Sequence, residues 1–372
     1  MNELSPARRV LLWVKPWFTS LDIPLLTIVA MLALTGMVTI SSAGYDFPWR
    51  ITDQARNFAV ALGVMFVFAN LKPQWLMRLA LPVYVLGVLL LVATELKGVT
   101  VKGATRWLDI GVGRIQPSEI MKLGLPLMLA WYFHKREGQL RAPDFLLAGL
   151  ILAVPVALIV KQPDLGTALL VAAAGCYVIF FAGLPWKWLI LLVVTGLAML
   201  PVAWTLMHDY QRERVMTLID PSNDPLGKGF HTLQAMIAIG SGGLLGKGWM
   251  QGTQTHLEFI PERTSDFIFA VYSEEFGLVG NLFLIVLYGA LVVRAFGIAV
   301  NAPTMFARLL AAALAMIFFT YAFVNMGMVS GILPVVGVPL PFMSYGGTAL
   351  LTLGMACGIL MSIASHRKLV QS

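Results

Sequence analysis

Ten long runs of apolar residues, nearly free of charge within, leave this chain few ways to fold. They lie near residues 22–42, 57–71, 75–96, 117–134, 145–160, 167–184, 187–207, 266–293, 306–333 and 343–364. A helix of about twenty apolar residues matches a hydrocarbon core of roughly 30 Å, so each run predicts a membrane span, the second and fifth being short. Only 12% of the 372 residues are charged and 58% are hydrophobic, whereas an ordinary soluble domain carries roughly 25% charged residues. So few charges cannot cover a water-facing surface, and lipid must be the solvent. The expected fold is an all-α integral membrane protein, a polytopic bundle of about ten transmembrane helices forming one membrane domain over residues 1–372.

An even number of spans puts both termini on one side. With the termini in the cytoplasm, 13 of the 26 Lys and Arg residues lie inside. Five of the rest (Arg212, Arg214, Lys228, Lys247, Arg263) fall in the one long outer loop, where charge orients a chain least. Setting them aside gives 13 against 8 and favours cytoplasmic termini. The net charge of +7 then reads as cytoplasmic anchors and contacts to anionic lipid headgroups, not as a nucleic-acid surface. Arg8-Arg9 before an apolar stretch is superficially like a twin-arginine export signal, but no small-residue cleavage site follows, and it reads as a retained juxtamembrane segment. Cys176 and Cys357 sit inside apolar runs as small hydrophobes, and the five histidines lack metal-ligand spacing.

Two outer segments stand apart, Lys97 to Gln116 and the long periplasmic loop of about 208–265. A loop of that length is functional or disordered, and Phe230, Leu233, Ile237, Ile239, Trp249 and Phe259 argue for order on a membrane surface. Its stretch Gly240 to Gly248 is superficially like a phosphate loop, but Ser241 replaces the first glycine and Gly248 the required Ser or Thr. Those glycines instead let backbone approach a headgroup or a neighbouring helix.

Charges at membrane depth cost several kcal/mol unless paired or hydrated, so each needs a reason. Glu119 and Lys122, three apart at the start of a span, share a helix face and can pair there. Glu119 also suits a helix N-terminus, so pairing, capping and lining a polar cavity all compete. Asp164 in Lys161-Gln162-Pro163-Asp164-Leu165-Gly166-Thr167 is either a cap or a site residue. Arg106-Trp107 reads as an interfacial anchor or, with Arg114 near, a pyrophosphate contact. Asp266 opens a long apolar run behind Glu262 and Arg263, with Glu274 a little over two turns on and expected to face the same interior. As an N-cap it contributes about 1 kcal/mol; as a carboxylate at a cavity mouth it suits base-assisted sugar transfer. Composition does not choose between the two.

In their order these motifs resemble the SEDS family (shape, elongation, division and sporulation) over nearly the whole chain. The resemblance rests on Gln116-Pro117-Ser118-Glu119, Gln162 to Thr167, His208-Asp209-Tyr210-Gln211-Arg212, Asp220-Pro221, Asp224-Pro225-Leu226-Gly227, Gly240 to Gly248, Glu262-Arg263 with Thr264 to Ala270, and Gly331 to Pro334 through Met343 to Gly347. Gly337-Val338-Pro339-Leu340-Pro341 and the short N-terminal tail are more similar to the elongation branch than to the division branch. One departure is Thr264-Ser265 before the aspartate, where relatives often carry His-Thr; it leaves Asp266 in register. The resemblance implies a peptidoglycan glycosyltransferase of the bacterial inner membrane that polymerises lipid II during elongation, with a class B penicillin-binding protein as partner. It implies Asp266 as the catalytic carboxylate, with Glu119, Lys122 and Asp164 in the same cavity. Arg106, Arg212 and Arg263 complete the expected substrate-binding set, the first two with Lys122 as cations for the departing diphosphate. Help from a divalent cation is left open. A flippase of lipid-linked precursor is the competing reading, although no inverted repeat or paired broken helices are visible. A scaffold that only recruits partners would leave the membrane-depth charges without a purpose.

Overall fold

A computed structural model describes residues 19–101, 104–109, 111, 114–207, 212, 216, 228–257, 259–260 and 262–366. Seven long helices come first: α1 Ile23–Ala43, α2 Trp49–Asn70, α3 Pro73–Lys97, α4 Pro117–Lys135, α5 Ala142–Lys161, α6 Leu165–Phe181 and α7 Trp186–Leu206. Two shorter helices, α8 Lys228–Ser241 and α9 Thr253–His256, lie within the expected outer loop. The long helices α10 Ile268–Val300, α11 Met305–Val329 and α12 Gly347–Ser365 close the bundle. Ten helices thus stand where ten apolar runs predict them. Six of them, α1, α3, α5, α10, α11 and α12, are by themselves long and apolar enough to cross a membrane. The motifs of 208–211 and 217–227 lie outside the described residues.

Burial ranks the helices. About 72% of the apolar window of α11 and 67% of that of α12 is buried, against 22% for α3 and α5, and in α4 only Lys135 is exposed, so α4, α11 and α12 form the inner posts while α3 and α5 face lipid on one side. Helix α11 packs on α10, α6 and α4. Helix α12 closes onto α2 through Gly354 and Gly358, four apart, where an added Cβ would meet the Ala61 and Met65 carbonyls. Small residues at such spacing allow helix backbones to approach in lipid, where dispersion and not the hydrophobic effect holds helices together. In α7, by contrast, every side chain described in Lys187 to Thr205 is at least partly exposed.

Three features depart from the sequence expectation. Within 97–116 the described residues form short antiparallel strands, β1 Val99–Val101, β2 Ala104–Asp109 and β3 Arg114–Ile115. The span expected at 266–293 does not start at Asp266: residues 262–267 are turns, and α10 begins at Ile268 without a side-chain cap. Third, α10 breaks at Gly277, whose φ of 63° and ψ of −159° lie outside the helical region and favour glycine. The segment after the break is alone long enough for a bilayer core.

A kink frees backbone groups that lipid cannot satisfy. Here the glycine-rich stretch after α8 satisfies them. Lys247 N and Gly248 N donate to the Glu274 and Glu275 carbonyls at 3.0 Å each, while Leu278 N and Val279 N donate to Gly243 O and Leu244 O at 2.9 and 3.1 Å. Contact with a neighbouring helix, one of the two roles open to those glycines, is present here.

Candidate active site

Between α11 and α12 the chain runs without regular structure through residues 331–346, yet Val338, Leu340, Phe342 and Met343 are buried. Backbone so placed must find partners, and side chains from three helices supply them. Gln54 of α2 donates to Ser344 O, Tyr288 of α10 to Pro341 O, and Asn325 of α11 to Val338 O. Ser344 turns back to accept from Leu340 N. This pinned segment forms one wall of a cavity of about 820 Å³.

The other walls come from Arg106 and Trp107 on β2, Gln116 before α4, Glu119 and Lys122 on its first two turns, Asp164 and Thr167 at the start of α6, and Glu262, Ser265 and Asp266 before α10. In an alternating bundle these connections all emerge at one end, and the polar groups gather there.

Lys122, 5% exposed, donates from Nζ to Glu119 Oε1 at 2.6 Å, while Thr352 Oγ1 of α12 donates to Glu119 Oε2 at 3.0 Å. The pairing expected from the three-residue spacing is present, and the pair lines the cavity. The Lys122 ammonium also lies 5.3 Å from the Tyr321 ring centre. Asp164 caps its helix and also lines the cavity. Its carboxylate accepts from Thr167 N at 3.2 Å and Thr167 Oγ1 at 2.9 Å as the N-cap of α6. It also receives Gln116 Nε2 at 3.3 Å and stands 3.6 Å from Arg106 Nη1. Asp266 lines the cavity with Oδ2 against Gly337, where an added Cβ would come within 3.2 Å of it.

Three expectations are corrected. Arg263 does not line the cavity: its Nε donates to Ala43 O at 2.6 Å, its Nη2 pairs with Asp46 at 2.6 Å, and its guanidinium lies over Tyr45. Arg212 is engaged elsewhere, donating to Trp204 O and Thr205 O at the end of α7. Glu274 does not share the interior of Asp266, because its carboxylate is held by Lys247 and α9. Thr352, Tyr321 and Asn325 carry no mark in the sequence, since each is a single polar side chain in an apolar run. Among the described residues no group of three or more His, Cys, Asp or Glu could hold a metal ion.

The family model of the FtsW/RodA/SpoVE cell cycle proteins matches residues 16–369. This chain belongs to that family. Within it, the peptidoglycan glycosyltransferase MrdB of Escherichia coli K12 is 48% identical over 347 residues, spanning 93% of this chain and 94% of that protein. A chain of a solved peptidoglycan synthase complex superposes with a TM-score of 0.82 at 32% identity, covering 94% of this chain and 98% of that one. The Thermus thermophilus rod shape determining protein RodA superposes with a TM-score of 0.71 at 31% identity, covering 93% and 97%. The fold is therefore the family's multi-pass helical bundle.

Proposed function

We infer that this protein is a peptidoglycan glycosyltransferase that polymerises lipid II during cell elongation, on the outer face of the cytoplasmic membrane. The observation that carries this reading is a charged cavity in an apolar bundle, with Asp266, Asp164, Arg106 and the Glu119–Lys122 pair on its walls. The identity to MrdB, named for the same activity, supports it. The chain acts as one membrane domain with both termini cytoplasmic, so that the cavity meets the periplasm, where the glycan is assembled. Likeness to a chain of a complex that coordinates polymerization with crosslinking supports a crosslinking partner, of the class B penicillin-binding type.

Asp266 takes the proton of the acceptor 4-hydroxyl as that oxygen attacks the anomeric carbon of the donor. The bond from that carbon to the diphosphate breaks, its electron pair leaves with undecaprenyl diphosphate, and the configuration inverts. Arg106 and Lys122 meet the negative charge that grows on the leaving group. The polyprenyl tails stay in lipid, which is why the enzyme is a membrane bundle.

The test is purified Asp266→Asn protein supplied with lipid II. It should fold and bind its partner while losing on the order of 10²–10⁴ in rate; polymerisation within a few-fold of wild type would remove Asp266 as the base. Wild-type protein that makes no glycan but scrambles lipid II across liposomes would instead be a flippase. For orientation, Thr100→Cys, exposed on β1, should react with an impermeant thiol reagent in intact spheroplasts lacking Cys176 and Cys357. Labelling only after permeabilisation would reverse the topology.

A further inference from the structure

Three consecutive backbone carbonyls lead up to the α10 start, and each accepts from a different donor. Tyr345 N reaches Thr264 O at 2.8 Å, Ser344 Oγ reaches Ser265 O at 2.7 Å, and Asn325 Nδ2 reaches Asp266 O at 2.9 Å. The first two donors belong to the pinned segment itself. Asn325 does not; it stands on α11, the most buried of the membrane helices, and is itself fully buried. The same Nδ2 also donates to Val338 O at 2.7 Å, so one amide ties the backbone of Asp266 to the backbone against which its carboxylate lies.

The orientation of that amide is set by its partners. Turned over, it would press an oxygen against two carbonyl oxygens, so nitrogen must face them. As placed, Oδ1 accepts from no donor among the described residues. A buried amide that gives both hydrogens and receives none carries a cost that stability alone does not explain. What it secures is geometry. Asp266 sits in turns ahead of an uncapped helix, opposite a segment without regular structure, so neither wall has helix or sheet bonding to hold it.

We propose that Asn325 is a positioning residue for sugar transfer: by bridging Asp266 O and Val338 O it fixes the direction in which the Asp266 carboxylate enters the cavity. The inference rests on the reading of Asp266 as base, and on no contact of Asn325 with substrate. Asn325→Asp keeps the shape but sets an oxygen against both carbonyls, and Asn325→Leu removes both bonds.

Both variants, assayed as full-length protein with its partner on lipid II, should lose kcat by on the order of 10²-fold, the cost of a misplacement near 1 Å. The KM for lipid II should stay within about threefold, because uniform binding is untouched. Placed on Asp266→Asn, either substitution should lower the residual rate less than twofold, since no base remains to be misdirected. Thermal unfolding of each variant gives the folded fraction for normalisation. Wild-type kcat, a raised KM at unchanged kcat, a loss that tracks only the folded fraction, or full multiplication of the effects on Asp266→Asn would each overturn the proposal. An active Asp266→Asn fails the base reading itself, whereas an inactive Asp266→Asn beside fully active Asn325 variants fails only this inference.

Discussion

Two lysine–glutamate pairs lie near one end of the bundle, almost equal in length and unlike in setting. Lys122 reaches Glu119 at 2.6 Å and Lys247 reaches Glu274 at 2.7 Å. Around Glu274, which is fully buried, Oε1 takes Lys247 Nζ, Thr253 Oγ1 and Gln254 N, and Oε2 takes Thr255 Oγ1. That carboxylate is saturated by its own protein and fastens α9 to the front of α10. Glu119 has one donor on each oxygen, Lys122 and Thr352, and both members of its pair face a cavity. A buried ion pair is weak evidence for stability, and the contrast shows what to ask instead: whether the charges are spent on the fold or left in reach of a substrate.

The widest separation between the two pairs should appear on removing the cations. Lys122→Met should lower polymerisation by on the order of 10²–10³, the loss typical of one group that stabilises developing negative charge. Lys247→Met should leave the rate within a few-fold, because Glu274 keeps three other donors, and should lower stability by about 1–3 kcal/mol. Lipid II polymerisation and thermal unfolding in detergent report the two effects separately. Within the cavity pair, Glu119→Gln and Lys122→Met combined should cost less than their sum, with a coupling of about 0.5–3 kcal/mol. A rate lost in Lys247→Met with stability intact would join the second pair to the active site and end the comparison.

A smaller effect concerns the fold around the saturated pair. At Gly277 an alanine would need a φ of 63° and would bring its Cβ within 2.3 Å of Gly246 N. Gly277→Ala should therefore cost about 1–3 kcal/mol and open the clasp, read as faster proteolysis across 240–257. The cavity pair, held by α4 and α12, should keep its contacts, so normalised activity should fall less than in Lys122→Met. Unchanged protease resistance would mean that the four clasp bonds do not hold the loop.

Much of this was legible in the chain. The ten runs show as ten helices because period and length need no tertiary knowledge, and the spacing of Glu119 and Lys122 already puts both on one face. Asp164 is legible as a cap because a cap is a local feature. Glu274 was misread for a tertiary reason: helical angle from Asp266 predicts a shared face only if the helix is continuous, and Asp266 lies outside it. Arg263 shows the same limit, since a cation beside a cavity-lining aspartate turns toward Asp46, far away in sequence. Strands after α3 were missed because three short strands leave almost no periodic signal. Thr352, Tyr321 and Asn325 were invisible because single hydroxyls and amides in apolar helices gain meaning only from what the fold sets opposite them.

The finest difference between the pairs lies in their threonines. Thr352 Oγ1 bonds Glu119 Oε2 at 3.0 Å, and Thr255 Oγ1 bonds Glu274 Oε2 at 3.3 Å. Replacing either by valine keeps the volume and deletes one donor to a carboxylate, so any divergence must come from the setting. Without Thr352, half of the Glu119 carboxylate loses its donor at the cavity wall and can swing away from Lys122. A misplaced pair contributes less at the transition state, and a deficit of about 1 kcal/mol would appear as roughly fivefold in kcat. Without Thr255, Glu274 still holds three donors on its other oxygen, which fix the group. Its loss should register as about 1 kcal/mol of stability with kcat within twofold of wild type. If Thr255→Val slows polymerisation more than Thr352→Val does, occupancy of the carboxylate is not what separates a structural pair from a functional one in this bundle, and the division of labour between Lys122 and Lys247 must be sought elsewhere.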